Sequence, residues 1–168
     1  LLLSPDPAQW VGTTTYYVEP IGSTASVIPL NFKIQISQVQ NYSLSISTTT
    51  SSILEGSNGQ STLFPVTAQL DKPALSDIKL GWSVSGIGTR PATPDDFTGA
   101  VYPSGEITIL KGSTSATIQV PIQADLVQES NEDFAVSFLN RSDQLVNTSQ
   151  ASKTLTIAND DLSALNGT

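Results

Sequence analysis

The strongest constraint on this chain is a short-range rhythm. "TLFPVTAQL" (62–70), "IKLGWSV" (78–84), "EITIL" (106–110), "ATIQVPIQ" (116–123), "FAVSFL" (134–139) and "TLTIA" (154–158) each place apolar residues at every second position. Side chains alternate between the two faces of a strand, so period two gives one apolar face and one polar face. Thr, Val and Ile dominate these runs, and such side chains suit a pleated, half-buried backbone. Turn formers separate them: "GSNG", "DKPALSD", "GTRPATPDD", "YPSGE", "KGSTS" and "NRSDQ". No run carries the 3.6-residue period of an amphipathic helix.

With the short run "TSSIL" before Glu55, the count reaches seven strands. Strands this short, at this spacing, predict an all-β fold: a seven-stranded antiparallel immunoglobulin-like β-sandwich. Three further strand-like runs precede it, "TTTYYVE" (13–19), "SVIPLNFKIQI" (26–36) and "YSLSIS" (42–47). Residues 1–50 are therefore expected to be an N-terminal strand-rich extension or the tail of a preceding domain. The sandwich is expected over 51–161, and a linker over 162–168. Pro29, Pro65 and Pro121 interrupt strand-like runs. Proline cannot donate to a ladder, so each is expected at an edge or bulge.

Composition excludes much chemistry. The chain has no Cys, His or Met. Zinc, copper or haem held by protein ligands needs Cys or His. A Ser–His–Asp triad needs a His as its base. Fifteen acids against seven bases give a net charge of −8, which disfavours nucleic acid and anionic membranes. No apolar run approaches the roughly 18 residues of a membrane helix. Without Met, the chain is expected to be a processed piece. Two carboxylates could hydrolyse a glycosidic bond across a cleft. Acids on loop tips make no cleft, however, and Trp82 sits mid-strand, as a core residue would. The chain is therefore read as no enzyme.

The acids themselves carry the most information. In "ADLVQESNEDF" (124–134), Asp125, Glu129, Glu132 and Asp133 crowd together with no Lys or Arg among them. Strands of a sandwich mostly alternate in direction. The connections after the first, third and fifth strands, and the exit of the seventh, then share one end. Glu55 lies in the first of these connections, Asp95 and Asp96 in the second, and Asp125, Glu129 and Glu132 in the third. Asp160 and Asp161 follow the last strand. The other end receives Lys72, Lys111, Arg141 and Lys153, though Asp71, Asp77 and Asp143 lie there too and Arg90 lies at the acidic end. Such a surplus of like charge repels itself unless a cation sits inside it. A hard, oxygen-loving ion fits, calcium first and magnesium second, because calcium accepts six to eight oxygens in flexible geometry.

The same residues resemble the Calx-beta family of calcium-binding sandwiches, over about residues 51 to 161. "ILEGSNGQSTLFPVTAQL" (53–70) resembles its Glu-Gly pair leading into a strand. "GTRPATPDDF" (88–97) resembles its Gly-Thr to Asp-aromatic segment. "ITILKGSTSATIQVPIQAD" (107–125), "ESNEDFAVSFL" (129–139) and "TLTIANDD" (154–161) follow in the family's order. The resemblance implies calcium ligands at Glu55, Asp96, Asp125, Glu129, Asp160 and Asp161, with Glu132 a further acid close by. Three positions depart from the family: Ala124 and Asn159 stand where it has acids, and Ile87 replaces an Asp before Gly-Thr. Asn159 still offers a carbonyl oxygen, whereas Ala124 offers only backbone. One or two Ca2+ ions are expected, bound more weakly than in the sodium–calcium exchanger domains of that family.

The function expected is a non-enzymatic calcium-binding extracellular module of a surface, adhesive or fibre-forming protein. Calcium would stiffen the end of the domain and its joint to the next. The alternatives are a regulatory calcium sensor and a fibre subunit that donates its N-terminal strands. Expected partners are neighbouring domains or identical subunits, with a cell-surface or matrix ligand as a further candidate. Asn-x-Ser/Thr triplets at Asn41, Asn140, Asn147 and Asn166 lend slight support to an extracellular or cell-surface location.

Overall fold

A computed structural model describes residues 40–57 and 59–161. Nine strands follow in order: β1 (Asn41–Ser47), β2 (Ser52–Leu54), β3 (Thr62–Leu70), β4 (Ile78–Gly86), β5 (Ser104–Ile109), β6 (Ser115–Ile122), β7 (Glu132–Asn140), β8 (Leu145–Gln150) and β9 (Ser152–Ala158). The only helical element among the described residues is a 3-10 turn, Pro94–Asp96. The strands form two sheets, ordered β6-β3-β1-β8 and β2-β9-β7-β4-β5. The runs expected at 13–19 and 26–36, with Pro29, lie outside the described residues, as does the linker over 162–168.

Each of the seven expected strands has a counterpart, in β2 to β7 and β9. The run at 42–47 becomes β1, which lies within the first fifty residues yet pairs with β3, Leu44 opposite Leu70. A strand also forms just after the turn former "NRSDQ", in a stretch that shows no alternation. There β8 pairs in parallel with β1, Tyr42 level with Val146. Its polar Asn, Thr, Ser and Gln hide the alternation, and pairing with β1 overrides that local preference. The first and last strands thus both change sheets midway. β1 and β8 pair in one sheet, and β2 and β9 pair in the other, Leu54 level with Ala158.

The core lies between the sheets. Phe64, Val66 and Leu70 of β3, Ile118 and Val120 of β6, and Tyr42 and Leu44 of β1 face Ile78 and Leu80 of β4, Phe134, Val136 and Phe138 of β7, and Leu155 and Ile157 of β9. Trp82 is partly buried against this cluster, in line with its mid-strand position. Each large side chain that passes from water to such an interior contributes roughly 1.5–3 kcal/mol.

Of the three prolines singled out in strand-like runs, Pro65 and Pro121 are described, and both obey the ladder rule. β1 reaches only Thr67 to Leu70 of β3, so Pro65 lies where one flank of β3 is unpaired among the described residues. Pro121 sits on the edge strand β6, where its carbonyl accepts the Thr98 N–H (3.2 Å). Residues 96 to 98 are laced to that edge, since the Gln123 N–H also donates to the Asp96 carbonyl (2.9 Å).

The register fixes which loops meet. Thr62 at the start of β3 is opposite Ile122 at the end of β6. Gly86 at the end of β4 is opposite Phe134 near the start of β7, and Glu132 is opposite Ile157 near the end of β9. The β2–β3, β4–β5 and β6–β7 connections and the exit of β9 therefore share one end of the sandwich.

Candidate metal centre

Glu55 enters this end directly from β2. Its N–H donates to the Ala158 carbonyl (3.0 Å), and the Thr62 hydroxyl donates to its carbonyl (2.9 Å). The next residue has φ +94°, a left-handed conformation that glycine adopts without a Cβ penalty. That twist turns the Gly56 N–H onto Asp160 Oδ1 (2.9 Å). The Glu-Gly pair thus ties the start of β3 to the exit of β9.

Asp96 closes the 3-10 turn. Thr93 donates both its N–H and its hydroxyl to Asp96 Oδ2, the latter at 3.0 Å. Thr93-Pro94-Asp95-Asp96 is a capping signature with Asp in place of the usual Glu, legible in the sequence. Phe97 then drops into the core, edge-on to Phe134 with ring centroids 5.6 Å apart. Asp125 makes its own turn, accepting the Val127 N–H at 2.6 Å.

Oxygens of Asp96, Glu129 and Glu132 lie within 4.8 Å of one another. A hydrogen-bonding contact with the Asp96 side chain is one of the causes that raise Glu132. Burial, then the charges of Asp125, Glu129, Asp161 and Asp96, push the Glu55 carboxyl up to about 7. Burial, the Asp96 hydrogen bond and the charges of Asp96, Glu129 and Glu55 push Glu132 to about 7 as well. Glu129 is raised by burial and then by Asp96, Asp125, Asp161 and Asp95. Acids from all four segments therefore feel one another. Glu55 is 3% exposed and Asp96 and Asp161 are 9% exposed, so water screens them poorly.

No base answers this charge. Among the described residues the one ion pair joins Lys72 to Asp71, at the opposite end (3.9 Å). Asp161 Oδ2 and Asn159 Oδ1 are buried without a hydrogen-bond donor among the described residues. The Asn159 amide nitrogen donates to the Asp161 carbonyl (3.1 Å), which leaves its oxygen to face elsewhere. Buried acceptors without donors are costly. Oxygens that can only accept, and that lack both donors and counter-charges, suit a hard cation.

Of the seven acids singled out in the sequence, Glu55, Asp96, Asp125, Glu129, Glu132 and Asp161 interact electrostatically here. Asp160 is exposed and held by Gly56. Asp133, part of the same acidic run, turns away to accept the Thr156 hydroxyl (2.8 Å). Asp95 reaches the group through Glu129 although it stands outside the predicted ligand set.

No family model matches the chain, and no curated protein does. Solved structures do. The calcium binding domain CBD12 of CALX1.1 superposes with a TM-score of 0.54 at 19% identity, over 66% of this chain and 42% of that one. CBD12 from CALX1.2 gives 0.56 at 17% identity, over 71% and 44%. The apo-form Calx CBD1 domain gives 0.52 at 15% identity, over 71% of this chain and 98% of that one. The fold is Calx-beta-like. The chain thus spans less than half of the first two structures and nearly all of the third.

Proposed function

We propose that this chain is a non-enzymatic calcium-binding module in which the ion neutralises the acidic end of the sandwich. The carrying observation is the buried, donor-less Asp161 Oδ2 among carboxylates delivered by four separate segments. Glu55, Asp96, Asp125, Glu129, Glu132, Asp160 and Asp161 supply the oxygens, for one or two ions. The Calx-beta-like fold supports the reading, since the similar structures are described as calcium binding domains.

The consequence is mechanical. β9 runs directly into Asn159, Asp160 and Asp161, so an ion held there fixes the direction in which the chain leaves the domain. An extracellular or cell-surface protein built of such modules gains a stiff joint at each one. The ion also stabilises the fold, because it binds the folded state alone. Melting curves in calcium and in chelator test this. At a hundredfold excess over the dissociation constant the gain is about 2.7 kcal/mol, or on the order of 10 °C for a domain this size. Coincident curves overturn the proposal.

A further inference from the structure

The chain enters and leaves the described sandwich at opposite ends. β1 runs antiparallel to β3, with Leu44 opposite Leu70 and Ser47 opposite Thr67, so Asn41 lies at the end where β3 finishes. β9 finishes at the acidic end, where Ala158 is level with Leu54. Between these points the first two strands run beside the last two and in the same direction. Asn41 is level with Leu145 in one sheet, and Ile53 is level with Ile157 in the other. Every other strand pair among the described residues is antiparallel. Parallel pairing is thus confined to the two seams that join the way in to the way out.

That geometry decides how tension acts. A pull on the segment before β1 draws that strand toward its own start. A pull on the segment after β9 draws that strand toward its own finish. For parallel neighbours these directions are opposed along one axis, while the hydrogen bonds run across it. The rungs of a seam are then loaded together, in shear, and do not open one after another. β1 is also bonded along β3 from Leu44 to Ser47, and β9 along β7 from Ser152 to Ile157. Sliding either strand therefore breaks bonds on two flanks. The β2–β9 seam is tied at both ends. The Thr156 N–H donates to the Ser51 carbonyl (2.9 Å), and the Glu55 N–H to the Ala158 carbonyl (3.0 Å). Odd-numbered residues of this run thus turn their backbone groups toward β9, Ile53 among them. Beyond the last rung, the Gly56 N–H reaches Asp160 Oδ1 (2.9 Å).

We infer that this sandwich carries tension along its length, with the β1–β8 and β2–β9 seams as a shear clamp between its two ends. The function is that of a load-bearing link, set to resist a pull on the segments that flank it. Resistance of this kind is kinetic, because forced unfolding follows the unfolding rate and not the equilibrium stability. A fold of ordinary stability can therefore hold a load. The clamp is made of backbone bonds and needs no ion, so it stands or falls apart from the calcium reading.

Single-molecule pulling on the full chain tests this. The chain has no Cys, so two introduced cysteines define the axis of load. Asn41→Cys with Thr168→Cys pulls along the path of the chain. Asn41→Cys with Asp143→Cys pulls apart the starts of β1 and β8, and opens that seam from one end. The force at which the chain first lengthens should be several-fold higher on the first axis than on the second. Ile53→Pro removes a rung of the β2–β9 seam, and should lower the highest force met on the first axis. If Ile53→Pro does not fold, the comparison of the two axes decides. Equal forces on the two axes overturn the inference. So does a folded Ile53→Pro chain that holds as high a force on the first axis as the parent.

Discussion

Glu55 shows how a single carboxyl reports on this site. Its folded pKa is raised from 4.5 to about 7, first by burial and then by neighbouring acids. The folded state therefore holds a proton that the unfolded state has lost. Stability from this group is complete below about pH 4.5 and is lost as pH rises through 7. Glu132 follows the same course. In chelator the melting temperature should fall between pH 5 and pH 8, and calcium should remove most of that fall. Calorimetric scans across that range check the sign, and a rise with pH in chelator contradicts it. Calcium should also bind more weakly as pH falls through this window, since protons compete for the same oxygens. Gly86 gives a second test at this scale. A Cβ there would lie 2.0 Å from the Ala92 carbonyl oxygen, just ahead of the turn that holds Asp96. Gly86→Ala should cost about 2–3 kcal/mol by overpacking, read from urea midpoints. The acids were legible because strand parity needs only their order in the chain. The donor-less oxygens of Asn159 and Asp161 were not, because burial depends on packing that no local pattern encodes.

Among the elements, the segment 93–98 couples core to site. Phe97 is fully buried and stacks edge-on with Phe134, while Thr93 holds Asp96 on the same short turn. Phe97→Ala should cost about 3–5 kcal/mol. Phe97→Leu should cost less and still weaken calcium binding, because Asp96 loses its rigid support. Calcium titration of the leucine variant checks this, and an unchanged affinity would detach the site from the core. β8 marks the limit of element-level reading. Its "LVNTSQ" has a single adjacent apolar pair, and only β1, about a hundred residues earlier, makes it a strand. The six strands with clear alternation, β3 to β7 and β9, needed no such partner to be seen.

At the scale of the molecule, chain direction gathers most acids of the described residues at one end, with Asp71, Asp77 and Asp143 at the other. Acids collect where β2, β4, β6 and β9 end, and one sheet carries no charge at all. That gathering lets the acidic end take up a cation while the neutral sheet stays free of repulsion. Calorimetric titration of calcium into the chelator-treated chain tests the central claim most directly. The account predicts saturable binding of one or two ions, abolished or strongly weakened in Asp161→Asn, which removes the charge of the buried carboxyl. A flat titration at millimolar calcium, or full binding by Asp161→Asn, would contradict it.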